Sequence, residues 1–420
     1  MILGFRHAMA HWQLVAAWSI FLASYFVFAF GRLPGTKIDR PAMAVVGAVL
    51  MFVCRIVTPQ SAIDSVDFGT LVLLFSMMLI VASLHLAGFF DWVANRVILH
   101  LSPRQLLPGV IFTSGIPSAF LVNDVVCLVM APLALDICKR MGVRPLPYLL
   151  ALATASNIGG LATITGNPQN MLIGSISGIG YRHFLLHLGP VAAIGLLVDW
   201  ALIYWIYLHG KAQVTDIPPS ASNHGIAGAP PTLRLLWPVL VTASVLAGFF
   251  LGLHPPLVAA AGGALLLVRR TRDPREVYGE VDWSLLVLFL GLFLIVGGAE
   301  QAGITGTLLQ LAERLNLHNS VIFVSTVAVL SNLVSNVPAV MLLKNLVPQF
   351  HNPHATWLTL AMASTLAGNL TITGSVANII VVEKARTVTN ISFFDYMKTG
   401  VPVTLATLAV GVLWLHFAKF

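Results

Sequence analysis

Apolar runs and polar interruptions alternate along this chain on the length scale of helices crossing a bilayer. The runs lie near 12–31, 42–58, 67–89, 105–138, 148–177, 184–208, 235–253, 255–269, 283–304, 319–350, 355–383 and 395–418. A helical span takes ~20 residues, and several runs exceed that. Two of the long ones carry turn-forming polar residues at their middles, Asn123-Asp124 in 105–138 and Ser335-Asn336-Val337-Pro338 in 319–350. Each reads as a hairpin of two short arms, ~16 residues apiece, that returns to its starting side. Two more, 148–177 and 355–383, hold Gly166-Asn167-Pro168 and Gly374-Ser375 in mid-segment. Proline has no N–H to donate and glycine relaxes the backbone, so the first of these helices must unwind there, freeing carbonyls and amides at membrane depth. The pattern predicts an all-α polytopic membrane protein with two re-entrant helical hairpins and two broken helices.

The chain also repeats itself. Val66-Asp67, Leu71-Val72-Leu73 and Leu79-Ile80-Val81 recur at a constant offset of 215 as Val281-Asp282, Leu286-Val287-Leu288 and Leu294-Ile295-Val296. A G-x-x-T-I-T-G-x-x-x-N string occurs twice, from Gly160 to Asn170 and from Gly368 to Asn378. The expected organisation is a first repeat over 1–209, with hairpin 105–138 and broken helix 148–177. A Pro/Ser-rich linker over 210–233 follows, then a second repeat over 234–420, with hairpin 319–350 and broken helix 355–383. Each repeat has five crossings, an odd number, so the second is inserted upside down relative to the first. Inverted repeats with interrupted helices are a design of secondary transporters.

Composition agrees: 57% of residues are hydrophobic and only 9% charged, against roughly a quarter in soluble domains. The net charge of +7 does not point to nucleic acid, because the basic residues are scattered between apolar runs. Counted by side, 17 Lys/Arg, among them Arg32, Arg40, Arg140, Lys211, Arg270 and Lys384, fall together, and four, Arg6, Arg182, Arg314 and Lys419, fall opposite. The positive-inside rule makes the first group cytoplasmic, with both termini periplasmic in a bacterial inner membrane. Cys54, Cys127 and Cys138 form no C-x-x-C pair, the histidines fall mostly at segment ends, and no nucleotide-binding G-x-x-x-x-G-K-[ST] string occurs. No metal or other cofactor is expected. A membrane enzyme lacks support, since no H-E-x-x-H, Ser/Lys or paired-carboxylate arrangement is evident.

The chemistry is expected at the breaks and the hairpin tips. Half-helix N-termini present partial positive charge, and freed backbone groups need protein, water or a bound solute. The candidate binding residues are Asn123, Asp124, Thr165, Gly166, Asn167, Pro168 and Asn170 from the first repeat. Ser335, Asn336, Thr373, Gly374, Ser375 and Asn378 come from the second. Helix capping would explain the asparagines at the tips. It explains Asp124 less well, the one carboxylate near the middle of a long apolar run, where such groups serve a path, a coupling ion or a proton. A desolvated Asp124 exchanges a proton near neutral pH, whereas a sodium ion beside it keeps it ionised. Asp199 reads as a packing or interfacial residue near a segment end, Asp67 and Asp282 as helix N-caps, and Lys344 and Arg55 as snorkelling.

These strings resemble the ion transporter superfamily. Gly166-Asn167-Pro168-Gln169-Asn170, Ser335-Asn336-Val337-Pro338 and Gly374-Ser375-Val376-Ala377-Asn378 are most similar to the arsenite-permease, melanosomal P-protein and bacterial anion-permease branch. Asn123-Asp124 matches the hairpin pair of arsenite efflux permeases. Related dicarboxylate carriers have Ser-Asn-Thr tips where this chain has Val122-Asn123-Asp124 and Ser335-Asn336-Val337, which weakens dicarboxylate transport. The well-known arsenite permeases lack the Gly-Asn-Pro-Gln-Asn string. The resemblance implies proton- or sodium-coupled, elevator-like movement of hairpins and broken helices against a scaffold, often in homodimers. The expected activity is proton-coupled efflux of arsenite or antimonite with Asp124 carrying the proton. Sodium- or proton-coupled transport of an inorganic or carboxylate anion, and sodium/proton antiport, stand as alternatives. A soluble ATPase subunit on the cytoplasmic loops stays open, since lipid and topology account for the basic run Arg269 to Arg275.

Overall fold

A computed structural model of the chain describes residues 10–33, 35–97, 102–209, 232–268, 273–386 and 388–417. The linker expected over 210–233 lies, up to residue 231, outside the described residues, as do 269–272 of the basic run. The first half comprises α1 (His11–Phe30), α2 (Arg40–Val53), α3 (Pro59–Ser65), α4 (Phe68–Leu86), α5 (Phe89–Val97), α6 (Pro103–Phe120), α7 (Asn123–Met141), α8 (Leu146–Gly160), α9 (Pro168–Ser177) and α10 (Tyr181–Ile203). The second comprises α11 (Thr232–Phe250), α12 (Pro255–Val268), α13 (Pro274–Gly279), α14 (Trp283–Gln301), α15 (Ile304–Arg314), α16 (Ser320–Val334), α17 (Asn336–Leu343), α18 (Pro353–Ala367), α19 (Val376–Ala385) and α20 (Phe393–Phe417). The fold is all-α, and every helix of the first half has a counterpart in the second, in the same order.

The local causes are duplicated as well. Asp67 and Asp282 both start helices: their carboxylates accept from Thr70 N at 2.7 Å and from Leu285 N at 3.0 Å, satisfying amides that have no partner within the helix. Among the described residues, five helices, α1, α4, α10 with its continuation to Leu208, α14 and α20, are long and apolar enough to cross a bilayer, while α2, α11, α12 and α16 are shorter and apolar. Their outward faces carry exposed Leu22, Val49, Leu197, Leu257, Val329 and Leu405, surface that belongs against lipid. The two halves exchange partners. Helix α2 packs on α14 and α12 on α4, while α9 packs on α18 and α19 on α8. The crossed pairs match in order between the two halves, and α10 packs on α20.

Both broken helices unwind through a 3-10 turn, Ile164–Gly166 and Ile372–Gly374. The unwound backbone folds onto the last turn of the preceding helix. A Cβ on Gly166 would lie 2.1 Å from Gly160 O, and one on Gly374 would lie 2.8 Å from Gly368 O. Glycine is needed here because two main chains touch. Gly166→Ala therefore costs about 2 kcal/mol or more, whereas Gly180→Ala, where nothing lies within 4 Å, is neutral; thermal unfolding of the two variants in detergent checks this.

Candidate functional site

Each break exposes carbonyls that its helix no longer uses, and one asparagine closes them. Asn170 Nδ2 donates to Gly160 O, Leu161 O and Thr163 O at 3.2, 3.4 and 3.0 Å. Its counterpart Asn378 donates to Gly368 O and Thr371 O at 2.7 and 3.0 Å. Both side chains are fully buried. The breaks are also tied to the hairpins. Thr163 Oγ1 donates to Ala119 O, at the end of α6, and Thr371 Oγ1 donates to Asn332 Oδ1 at 3.1 Å, near the end of α16.

Because Asn378 Nδ2 is held by two carbonyls, its Oδ1 must accept, and that fixes every amide beyond it. Asn157 Nδ2 donates to Asn378 Oδ1 at 2.9 Å and to Asn369 Oδ1 at 2.7 Å. Asn369 is itself oriented by donating to Thr154 O at 3.1 Å. Asn157 Oδ1 is then an acceptor, filled by Ser375 Oγ at 2.9 Å and by Asn123 Nδ2 at 2.8 Å. The relay ends on Asn123 Oδ1, which is buried and has no partner. In the other repeat, Thr365 holds the place of Asn157 and contacts Asn167, Gln169 and Asn170 of the first break. The first arm of each broken helix thus braces the opposite repeat's break.

A cavity of about 160 Å³ lies where these elements meet. Asn123 and Asp124 line it from one hairpin tip, Ser335, Asn336 and Pro338 from the other, Pro168 and Gln169 from the first break, and Ser375 and Val376 from the second. Helices α7, α9, α17 and α19 all begin there, so four positive dipole ends converge. The Asp124 carboxyl lies near the Ala377 N–H, in the first turn of α19. Ser375, at the N-cap of α19, makes no cap of its own, whereas Asn167 caps α9 through Asn170 N at 2.9 Å. Asp124 thus stands beside the second break from the first repeat. With its amide turned to suit its neighbours, Asn336 donates to Ser364 O and Gly374 O at 3.1 and 3.2 Å. Ser335 holds φ 77, ψ 159, a region that costs a non-glycine residue about 1–3 kcal/mol, and it sits at the hairpin tip on the cavity wall.

Of the expected site residues, Asn123, Asp124, Pro168, Ser335, Asn336 and Ser375 line the cavity. Gly166, Asn167, Asn170, Gly374 and Asn378 stand behind it and shape the breaks. Thr165 and Thr373 are elsewhere. Thr165 Oγ1 faces Tyr181 Oη at 3.0 Å and Phe120 O at 3.3 Å, because the turn points it toward α10, and Thr373 is exposed. Capping does not explain Asn123 or Ser335. Val122 and Ser335 occupy the N-cap positions and neither makes a side-chain cap. Asp199 takes the packing role: it is fully buried and bonded to Thr154. Lys344 pairs with Glu300 at 3.3 Å rather than snorkelling alone. Cys127 is fully buried against Ser156 and lies off the cavity wall.

Residues that the sequence reading passed over complete the wall. Arg40 had been counted only as a topological charge, and Asp282 only as a cap. Both line the cavity with Ser284, and Arg40 Nε donates to Phe28 O at 2.9 Å. Asn157 and Thr365 carry a legible signal, since they stand 208 positions apart, the spacing of Asn170 and Asn378.

Residues 25–367 match the citrate transporter family. A silicon efflux transporter of Oryza sativa subsp. japonica is 30% identical over 96% of this chain and 98% of its own. An uncharacterized transporter of Mycobacterium tuberculosis is 28% identical over 97% and 99%, and a transporter of Dictyostelium discoideum designated arsB is 25% identical over 94% and 89%. Among solved structures, the YdaH transporter of Alcanivorax borkumensis superposes with a TM-score of 0.57 at 14% identity, covering 97% of each chain. That likeness is one of fold. The chain belongs to the citrate transporter family, within the superfamily its strings resemble, and is a secondary transporter embedded in the membrane.

Asn157→Ala leaves Asn123, Asn369, Ser375 and Asn378 each short of a partner in a buried network, so it lowers stability by about 3 kcal/mol. Adding Asn123→Ala to that variant costs much less than it does alone. Thermal unfolding of the two single variants and the double variant measures the coupling.

Proposed function

We propose that this family member exports a small uncharged hydroxy acid, arsenous or antimonous acid first among them, in exchange for protons. The observation that carries this reading is the acceptor character of the cavity wall. Asn123 Oδ1 is left over from the amide relay, buried at this tip with no partner among the described residues, and Asp124, its neighbour in the chain, stands on the cavity wall. An O–H-bearing solute supplies a donor to Asp124 and, when the tip yields, to Asn123 Oδ1. Leaving a buried acceptor unmade costs about 1–3 kcal/mol, so such a solute gains where a bare anion does not. Silicic acid shares this chemistry, being neutral and polyhydroxylated near neutral pH, and the rice relative named for silicon efflux fits the same class of cargo.

Asp124 is the proton carrier in this scheme. It stands on a cavity-lining tip beside the α19 N-terminus, so its charge bears both on cargo and on the seating of the half-helix. With the 17-charge side taken as cytoplasmic, Arg40 and Asp282, at the starts of α2 and α14, lie toward the cytoplasm. Both belong to the cavity wall, and loading from inside suits export.

A second reading, an anion carried with protons or sodium, is favoured by Arg40 on the wall and by the family's description as citrate transporters.

Accumulation of labelled arsenite in energised everted vesicles separates the two. Export of the neutral acid gives uptake that a protonophore abolishes. Asp124→Asn loses that uptake while the protein still folds, and Arg40→Gln leaves it within about twofold. The anion reading instead gives uptake of citrate or another anion that Arg40→Gln lowers about tenfold or more. Unchanged protonophore-sensitive uptake in Asp124→Asn rejects the role given to Asp124.

A further inference from the structure

Behind the cavity lies a second carboxyl that the transport scheme does not yet use. Asp199, on α10, is fully buried. Its two oxygens stand 2.9 and 3.1 Å from Thr154 Oγ1, and the same hydroxyl stands 2.9 Å from Leu150 O. A threonine hydroxyl has one hydrogen. If Asp199 is protonated, its O–H donates to Thr154 Oγ1, which donates in turn to Leu150 O, and the set is complete. If Asp199 is ionised, Thr154 must turn away from Leu150 O. The carboxylate then keeps a single hydrogen bond and no cation, a costly state at membrane depth.

Among the described residues, no charged side chain is bonded to it. Helix α10 packs against α6, α8, α11, α18 and α20, and Thr154 of α8 is the one side chain bonded to Asp199 among the described residues. The titratable group nearest from α20 is Tyr396, whose hydroxyl is buried and unpartnered. Beyond it on α7 is the Cys127 thiol. Packing does not require an acid here either. Pro190 of α10 and Pro402 of α20 set the register between these counterpart helices, and in that register the position of Asp199 is taken by Gly411, which packs on Met362.

The site is also wired to the cavity. Thr154 O receives Asn369 Nδ2, and Asn369 receives Asn157, the residue that orients Asn123 and Ser375 on the wall. Thr154 and Asn157 lie on one face of α8, three residues apart.

We infer that Asp199 is a second exchangeable proton site, separate from Asp124, whose protonation Thr154 and Asn369 transmit to the cavity wall. Its part in coupling rests on the proton-exchange reading above; its binding of a proton does not.

Two measurements test it. Infrared spectra of the purified protein in lipid, recorded across pH, show a protonated-carboxyl band at neutral pH. That band is lost in Asp199→Asn, kept in Asp124→Asn, shifted by Thr154→Val, and diminished as pH rises. In vesicles, Asp199→Asn, which resembles the protonated acid, retains arsenite counterflow and loses proton-driven accumulation by at least tenfold. A neutral-pH spectrum unchanged by Asp199→Asn overturns the proposal, as does a band that never responds to pH. Wild-type accumulation in the variant overturns its coupling role. If the wild-type protein shows no arsenite counterflow, the cargo assignment fails and the pH response of the band alone decides.

Discussion

Backbone carbonyls released inside a bilayer have no water to turn to, and the arrangement at the centre of this protein follows from closing them. Asn170 and Asn378 spend their amide hydrogens on the carbonyls of two unwound turns. Once that is done they have only oxygens to offer the rest of the molecule. In the second repeat this constraint passes through Asn157 to Asn123 and ends at the cavity. The polarity of the wall is therefore inherited from a requirement of secondary structure, and a substitution that reverses one amide has to reverse the next.

The two repeats are alike in scaffolding and unlike where the cavity is lined. Asn167 of the first break has Ser375 as its counterpart, and Asp124 of the first tip has Val337. Ser375 turns to Asn157 instead of capping its helix, and Asp124 lies beside the start of α19 from the other repeat. An approximately symmetric frame thereby holds a single carboxyl on one hairpin tip. The strained backbone of Ser335 is a further asymmetry, since Val122, at the same place in the first hairpin, has an ordinary negative φ of -51.

Much of this was legible beforehand, for physical reasons. Hairpin tips and helix breaks need residues that do something unusual to a membrane helix, such as Pro168, Gly166 or Asn336, so they stand out against an apolar background. Duplication then identifies them twice. Arg40 was hidden because a basic residue at a helix start is also what the positive-inside rule predicts. Thr165 and Thr373 misled for the opposite reason, since they belong to the duplicated string yet face away from the cavity. Asp199 reads as a packing residue and is one, but its full burial under α8 and α20 does not follow from its distance to a segment end.

The exchange of partners between halves bears on how the chain is made. Helices α2 and α4 emerge ahead of the helices they pack against, α14 and α12, which begin 243 and 187 residues later. Until then, the faces of α2 and α4 that will meet the second half are covered only by lipid or by transient neighbours. Such non-local pairing slows assembly and prolongs exposure of the unfinished structure. Biogenesis of this protein therefore depends on the membrane tolerating a half-built intermediate, and cellular quality control has its longest opportunity to act during that interval.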